Sequence, residues 1–155
     1  MKRSIPFCSW ILAVCFFAGC GTGRNPASPK LEETDQFKID VAVYGFLLNR
    51  HFGEDGEYSA IFLAGEDAEV NAVARQFPGH IPPIKPSYRA NLQPNRTPLD
   101  KDTGRSAMIF SVDILDVTNA PAEAIGRWYA GPAVVGFYTF ELEKSGDAWV
   151  VRAAH

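Results

Sequence analysis

Three stretches carry residue types that could do chemistry. His51 with Glu54, Asp55 and Glu57 collects the nitrogen and oxygen donors that hold a divalent cation. The spacing matches no established site, and none of His51, His80 and His155 has a second histidine four residues away. A cationic residue at a helix C-terminus, followed by acids on a wet turn, accounts for the same letters. Asp100-Lys101-Asp102-Thr103-Gly104 opens like a calcium loop, which needs oxygen ligands at its first, third and fifth positions and a bidentate Glu at its twelfth. The fifth is Gly104 and the twelfth is Ser111, so a turn ahead of a strand explains the stretch better. Asp113, Asp116 and Glu123 would form a paired-carboxylate acid–base site if two strands joined them. In a regular strand Asp113 and Asp116 point to opposite faces, which argues against that pair. A Gly-x-Ser-x-Gly elbow, a suggestive Ser and His spacing and a phosphate loop are all absent. No catalytic residue, metal ligand or cofactor is therefore assigned.

The remaining nucleophile is a thiol, and its setting gives it another use. Lys2 and Arg3 precede an apolar run from Ile5 to Phe17, in the order of a secretory signal peptide. That run is shorter than the roughly 20 residues that span a bilayer, and Arg24, Asn25 and Pro26 follow closely. Its end, Phe17-Ala18-Gly19-Cys20, resembles the lipobox of bacterial lipoproteins, with Phe17 where Leu is usual. The resemblance implies a diacylglycerol on Cys20, cleavage before it, and a further acyl chain on the new amine. One acyl chain binds a membrane reversibly, whereas two or three hold durably. Gly21 is not the Asp that favours retention at an inner membrane, so the expected address is the outer membrane, facing the periplasm. Cys8 and Cys15 leave with residues 1–19 and Cys20 is consumed by lipid, so no thiol remains for a disulfide. Loss of Lys2 and Arg3 takes the formal charge from −3 to −5, which disfavours nucleic acid and anionic headgroups as partners. Contact with the membrane is then through lipid.

Residues 20–34 read as the lipidated cysteine and a flexible tether, about ten extended residues reaching roughly 30 Å from the bilayer. Residues 35–155 are enough for one globular α+β domain held by packing alone. Phe37, Val41, Tyr44, Leu48 and Phe52 recur at helical spacing from Gln36 to Phe52, although Ile39, Val41 and Val43 also fit a strand. Gly53 to Gly56 is a turn, Tyr58 to Ala64 a short apolar strand, and Glu66 to Phe77 a second helix with acids first and Arg75 last. From Phe77 to Gly104, prolines at 78, 82, 83, 86, 94 and 98 forbid a regular element. So long a loop is either a binding loop or a cover over the sheet, and Tyr88, Arg89, Asn91, Arg96 and Lys101 give it a basic, hydrogen-bonding character. After Ala107 the period becomes two, and a four-stranded antiparallel meander packed by one or two helices is expected. Tyr138, Phe140 and Leu142 would lie on its packed face and Thr139, Glu141 and Glu143 on the wet one. Arg127, Trp128 and Tyr129 form the most partner-like group, though neighbours on a strand face opposite ways and one aromatic must be core.

Gly131-Pro132, the strand Gly136 to Lys144 and Ser145-Gly146-Asp147-Ala148-Trp149-Val150-Val151 resemble the C-terminal hairpin of small secreted bacterial domains and of cystatin-like and nuclear-transport-factor-two-like folds. Many members of the secreted group carry cysteines before the hairpin, where this chain has Ala130 and Val135, so no disulfide is inferred. Two functions follow. One is a noncatalytic envelope module that binds an envelope protein or cell-wall partner through Tyr88, Arg89, Arg96, Arg127 and Trp128. The other is a small-molecule or enzymatic domain with a cavity between sheet and helix, lined by Tyr44, Phe110, Tyr138 and Trp149.

Overall fold

The computed structural model describes residues 30–51, 57–118 and 121–155. Cys20 and its lipobox, and Phe52, Glu54 and Asp55, lie outside the described residues. The element order is α1 (Asp35–His51), β1 (Ile61–Leu63), α2 (Asp67–Ala74), β2 (Ile84–Pro86), β3 (Ala90–Asn91), β4 (Leu99–Asp100), β5 (Met108–Asp116), β6 (Ala122–Gly131), β7 (Val134–Ser145) and β8 (Ala148–Ala154). The fold is α+β, but its sheet is not the expected four-stranded antiparallel meander. It is a mixed sheet of six strands in the order β2-β1-β5-β6-β7-β8, in which β1 runs parallel to both neighbours. β5 to β8 pair antiparallel, and β3 with β4 forms a separate two-stranded ladder.

The apolar run in β1 explains its place. Ile61, Phe62 and Leu63 have no exposed surface, as a strand covered on both faces requires. On the inner face α1 and α2 lie against the sheet, and Ile39, Val43, Leu47, Phe110, Phe140 and Leu142 form the main core. α1 starts where Thr34 Oγ1 accepts the Phe37 amide at 3.2 Å, which satisfies a helix-terminal donor. Asp35 then pins that end to the last hairpin, accepting from Lys144 Nζ at 2.9 Å and Trp149 Nε1 at 3.1 Å. Close approach of α1 depends on Gly126, where an added Cβ would meet Phe140 at 2.7 Å and Val43 at 3.0 Å. Leu31–Glu33, read as tether from the sequence, make a 3-10 turn that Glu32 ties to Arg75 at 3.0 Å, beyond the end of α2.

The buried side of α1 is Phe37, Ile39, Asp40, Val43, Tyr44, Leu47 and Leu48, so the expected stripe is rotated toward Ile39 and Val43, with Val41 only half-buried. The proline-rich segment also departs from expectation, since it contains β2, β3 and β4. Prolines at a sheet edge forfeit no ladder bond on the solvent side, which is how Pro86 is accommodated in edge strand β2. The segment then crosses to the outer face and closes a second, smaller core of Ala60, Phe62, Ala90 and Ala107 with Ile109 against it.

Candidate functional site

Beyond that small core and the loop contact at Tyr129, the outer face of β7 is exposed among the described residues. Ladder pairing sets Ile109, Tyr129 and Val135 in one row and Ser111, Arg127 and Phe137 in the next. Val135 is 61% and Phe137 62% exposed, large apolar side chains on a face where a solvated sheet would carry polar ones. Arg127 lies beside Phe137 and is ion-paired to Asp113.

Two rows further along the strands the face turns acidic. Ala122, Ala124, Phe140 and Leu142 are fully buried, so alternation turns Glu123 and Glu141 outward, directly opposite each other. A register shift between Ile114 and Asp116 sets Asp116 opposite Glu123. The bulge thus corrects the expectation that Asp113 and Asp116 point to opposite faces, because one extra residue reverses the alternation. Like charges opposed across a ladder are unfavourable, and neither Glu123 nor Glu141 forms an ion pair among the described residues.

The residues singled out from sequence do not make one patch. Trp128 turns to the inner face, where its ring lies 4.3 Å from His51 and 5.0 Å from Tyr138 and covers Gly136. Arg127 and Tyr129 take the outer face, and the Tyr129 hydroxyl donates to the Arg96 carbonyl at 3.1 Å, drawing the loop alongside the bare rows. Tyr88 is exposed, and its carbonyl accepts Lys101 Nζ at 2.6 Å. Arg89 is committed to Asp102 at 2.7 Å. Lys85 bridges Asp102 at 2.9 Å and the buried Asp100 at 3.0 Å, and Asp100 also accepts the Thr103 hydroxyl at 2.9 Å. This network, which the sequence reading took as a turn, organises the loop. Despite complete burial, the hydrogen bonds and charge of Lys85 and the Thr103 hydroxyl hold the Asp100 carboxyl below the usual range.

A second feature lies between the helices on the inner face. Asp40, only 6% exposed, faces Glu69 of α2 across a pocket of about 130 Å³ lined also by Gln36, Tyr44, Gly65, Val112 and Ile114. Tyr44 donates its hydroxyl to the Ala64 carbonyl at 3.2 Å, and burial, with Asp40 and Glu69 adding, pushes its pKa up so that it stays protonated. Burial and then the Glu69 charge push Asp40 up to about 8. His51, taken from sequence as a cationic helix end, is instead shifted toward its neutral form, first by burial and then by Arg50, and its buried Nε2 has no hydrogen-bond partner.

Of Tyr44, Phe110, Tyr138 and Trp149, the residues expected to line one cavity, Tyr44 and Trp149 border different pockets. Tyr44 borders the Asp40 pocket, Trp149 a cleft with Phe37 and Lys38, Phe110 is fully buried, and Tyr138 meets Phe46 edge to face and lies tilted against Trp128. No group of three or more His, Cys, Asp or Glu among the described residues could hold a metal ion, and no described helix is long and apolar enough to cross a membrane. Comparison with family models, with curated proteins and with solved structures gives no match to this chain.

Sequence reasoning passed over Val135, Phe137, Asp40 and Glu69. The first two were within reach, because the parity that makes Thr139, Glu141 and Glu143 the wet face puts Val135 and Phe137 on it too. Asp40 showed only as an acid at helical spacing from Gln36 and Tyr44, and nothing local marks Glu69 as its neighbour.

Proposed function

We propose that this chain is a lipid-anchored envelope protein that holds a protein partner on the outer face of its sheet and catalyses no reaction. The carrying observation is the pair Val135 and Phe137, exposed beside Arg127 and followed along the same face by Glu123 and Glu141. An apolar strip next to acids without cationic partners is complementary to a protein surface that presents apolar side chains flanked by Lys or Arg. Anchorage rests on Phe17-Ala18-Gly19-Cys20 and the cationic, apolar segment before it. The outer membrane, facing the periplasm, is the address that Gly21 favours. A small-molecule function finds less support, because Tyr44 and Trp149 border different pockets.

The test places a photo-crosslinking residue at Phe137 or, as a control, at exposed Asn49 on α1, in cells that make the full chain. A single protein adduct from Phe137 and not from Asn49, its crosslinked peptide carrying Lys or Arg, and loss of the adduct in Val135→Glu, supports the binding face. Equal yields at both positions, or none, overturn it. Cys20→Ser should leave the precursor uncleaved, and an intact mass without the diacylglycerol increment on the parent chain would remove the anchor.

A further inference from the structure

A carboxyl group taken out of water beside a second acid favours its neutral form unless a cation lies close by. Asp40, buried on α1, and Glu69, half-buried on α2, line one pocket from separate helices. Among the described residues, the groups lining this pocket supply no positive charge. From α1 itself come Gln36 and Tyr44, from the stretch after β1 Ala64 and Gly65, from β5 Val112 and Ile114, and from α2 Val70 and Val73. Lys38 borders a different cleft, with Trp149, and Arg75 is bound to Glu32. The Tyr44 hydroxyl donates to Ala64 and not to either acid.

We infer that the contact between α1 and α2 is a proton-held latch, in which one shared proton hydrogen-bonds Asp40 to Glu69 and its loss separates the two helices. The step is a single proton transfer: one carboxylic O–H breaks, the proton passes to water or buffer, and two carboxylates remain facing each other. α2 is the element that yields. Eight residues are too few to persist as a helix in water, so α2 depends on the burial of Val70, Ala72 and Val73 and on this contact. α1 is held along its length by the core and at its start by Lys144 and Trp149. Release would bare Val70 and Val73 and the inner-face residues Val112 and Ile114, widening the pocket into a cleft.

The direction of the pH response follows from the raised value of Asp40. The folded state binds a proton that the unfolded state has already lost, so the contribution is intact at acid pH, at and below the ordinary Asp value of 3.8, and is lost as pH rises toward 8. Release therefore falls on the alkaline side of neutral. The inference is independent of the binding face, which lies on the other side of the sheet.

Hydrogen exchange of the purified full chain in detergent, corrected for intrinsic rates and followed from pH 6 to pH 9, tests it. Amides of residues 67–74 should lose about tenfold or more in protection across that range, as loss of one proton per opening requires, while amides of β6 hold theirs. Asp40→Asn should abolish the pH dependence and Glu69→Gln should weaken it, because burial alone still raises Asp40, and either variant suffices if the other fails to fold. Flat protection in the parent, an equal loss in β6, or the same pH dependence in a folded variant would overturn the latch.

Discussion

Asp40 and Asp100 are both buried aspartates, 6% and 0% exposed, and their surroundings drive them in opposite directions. Asp100 meets an ammonium, a hydroxyl and the Asp102 amide, and stays ionised. Asp40 meets a carboxyl and is driven toward its neutral form. Burial is common to the two, so it is the sign of the neighbour that separates a structural clamp from a titrating contact. Asp100 holds together a loop that has little apolar surface of its own. Asp40 opposes the helix packing it sits in at any pH where it is ionised, which is the behaviour of a group retained for something other than stability.

The comparison breaks most visibly at the clamp. Asp100→Ala should cost about 3 kcal/mol at pH 7, because it strips the Lys85 ammonium of one carboxylate and leaves the Thr103 hydroxyl and Asp102 amide without their acceptor. Urea unfolding measures it, and the deficit should shrink toward pH 3, since a lowered carboxyl contributes stability above its unfolded value and loses it as pH falls. Asp40→Asn should act with the opposite sign. It should stabilise by about 2 kcal/mol near pH 8 and by almost nothing near pH 3, below the ordinary Asp value of 3.8, where the parent carboxyl is mostly protonated folded or unfolded. The parent should therefore lose stability on both flanks of an optimum in weak acid, with His51 adding to the acid flank because its folded form resists protonation. Asp40→Asn should level the alkaline flank alone. A midpoint that keeps falling from pH 6 to pH 8 in Asp40→Asn would assign the decline to other groups.

What could be read in advance follows the same division between local and distant causes. The helix over Asp35–His51, the turn at Ser145-Gly146-Asp147 and the alternation from Met108 onward are written in neighbouring residues, and periodicity finds them. β1 falls inside the apolar strand expected over Tyr58 to Ala64, but β2 is three residues ending in Pro86, too short for a period, and what makes it a sheet strand is its pairing with β1. The loop misled for a related reason. Its prolines were read as barring regular structure, whereas pairing along one side only, as at Pro86, tolerates them. Lys85, Arg89, Asp100 and Asp102 give no signal until the fold joins them, and the Asp40–Glu69 contact joins two helices across 29 positions in the same way. The bulge before Asp116 is a one-residue event that reversed a correct parity argument.

Depth decides how much a like-charge pair costs, and the outer face provides the control. Glu123 and Glu141 oppose each other as Asp40 and Glu69 do, but both are exposed, where water and salt screen the repulsion. Glu123→Gln should stabilise by only about 0.3 kcal/mol, within the range for cross-strand charge pairs, and 0.5 M salt should erase the gain. Thermal unfolding at low and high ionic strength measures it. The benefit of Asp40→Asn at pH 8 should largely survive the same salt, because Asp40 itself is only 6% exposed and ions reach it less readily than an open sheet. If salt erased both gains alike, Asp40 and Glu69 would be a solvated pair and the contrast with Asp100 would reduce to exposure.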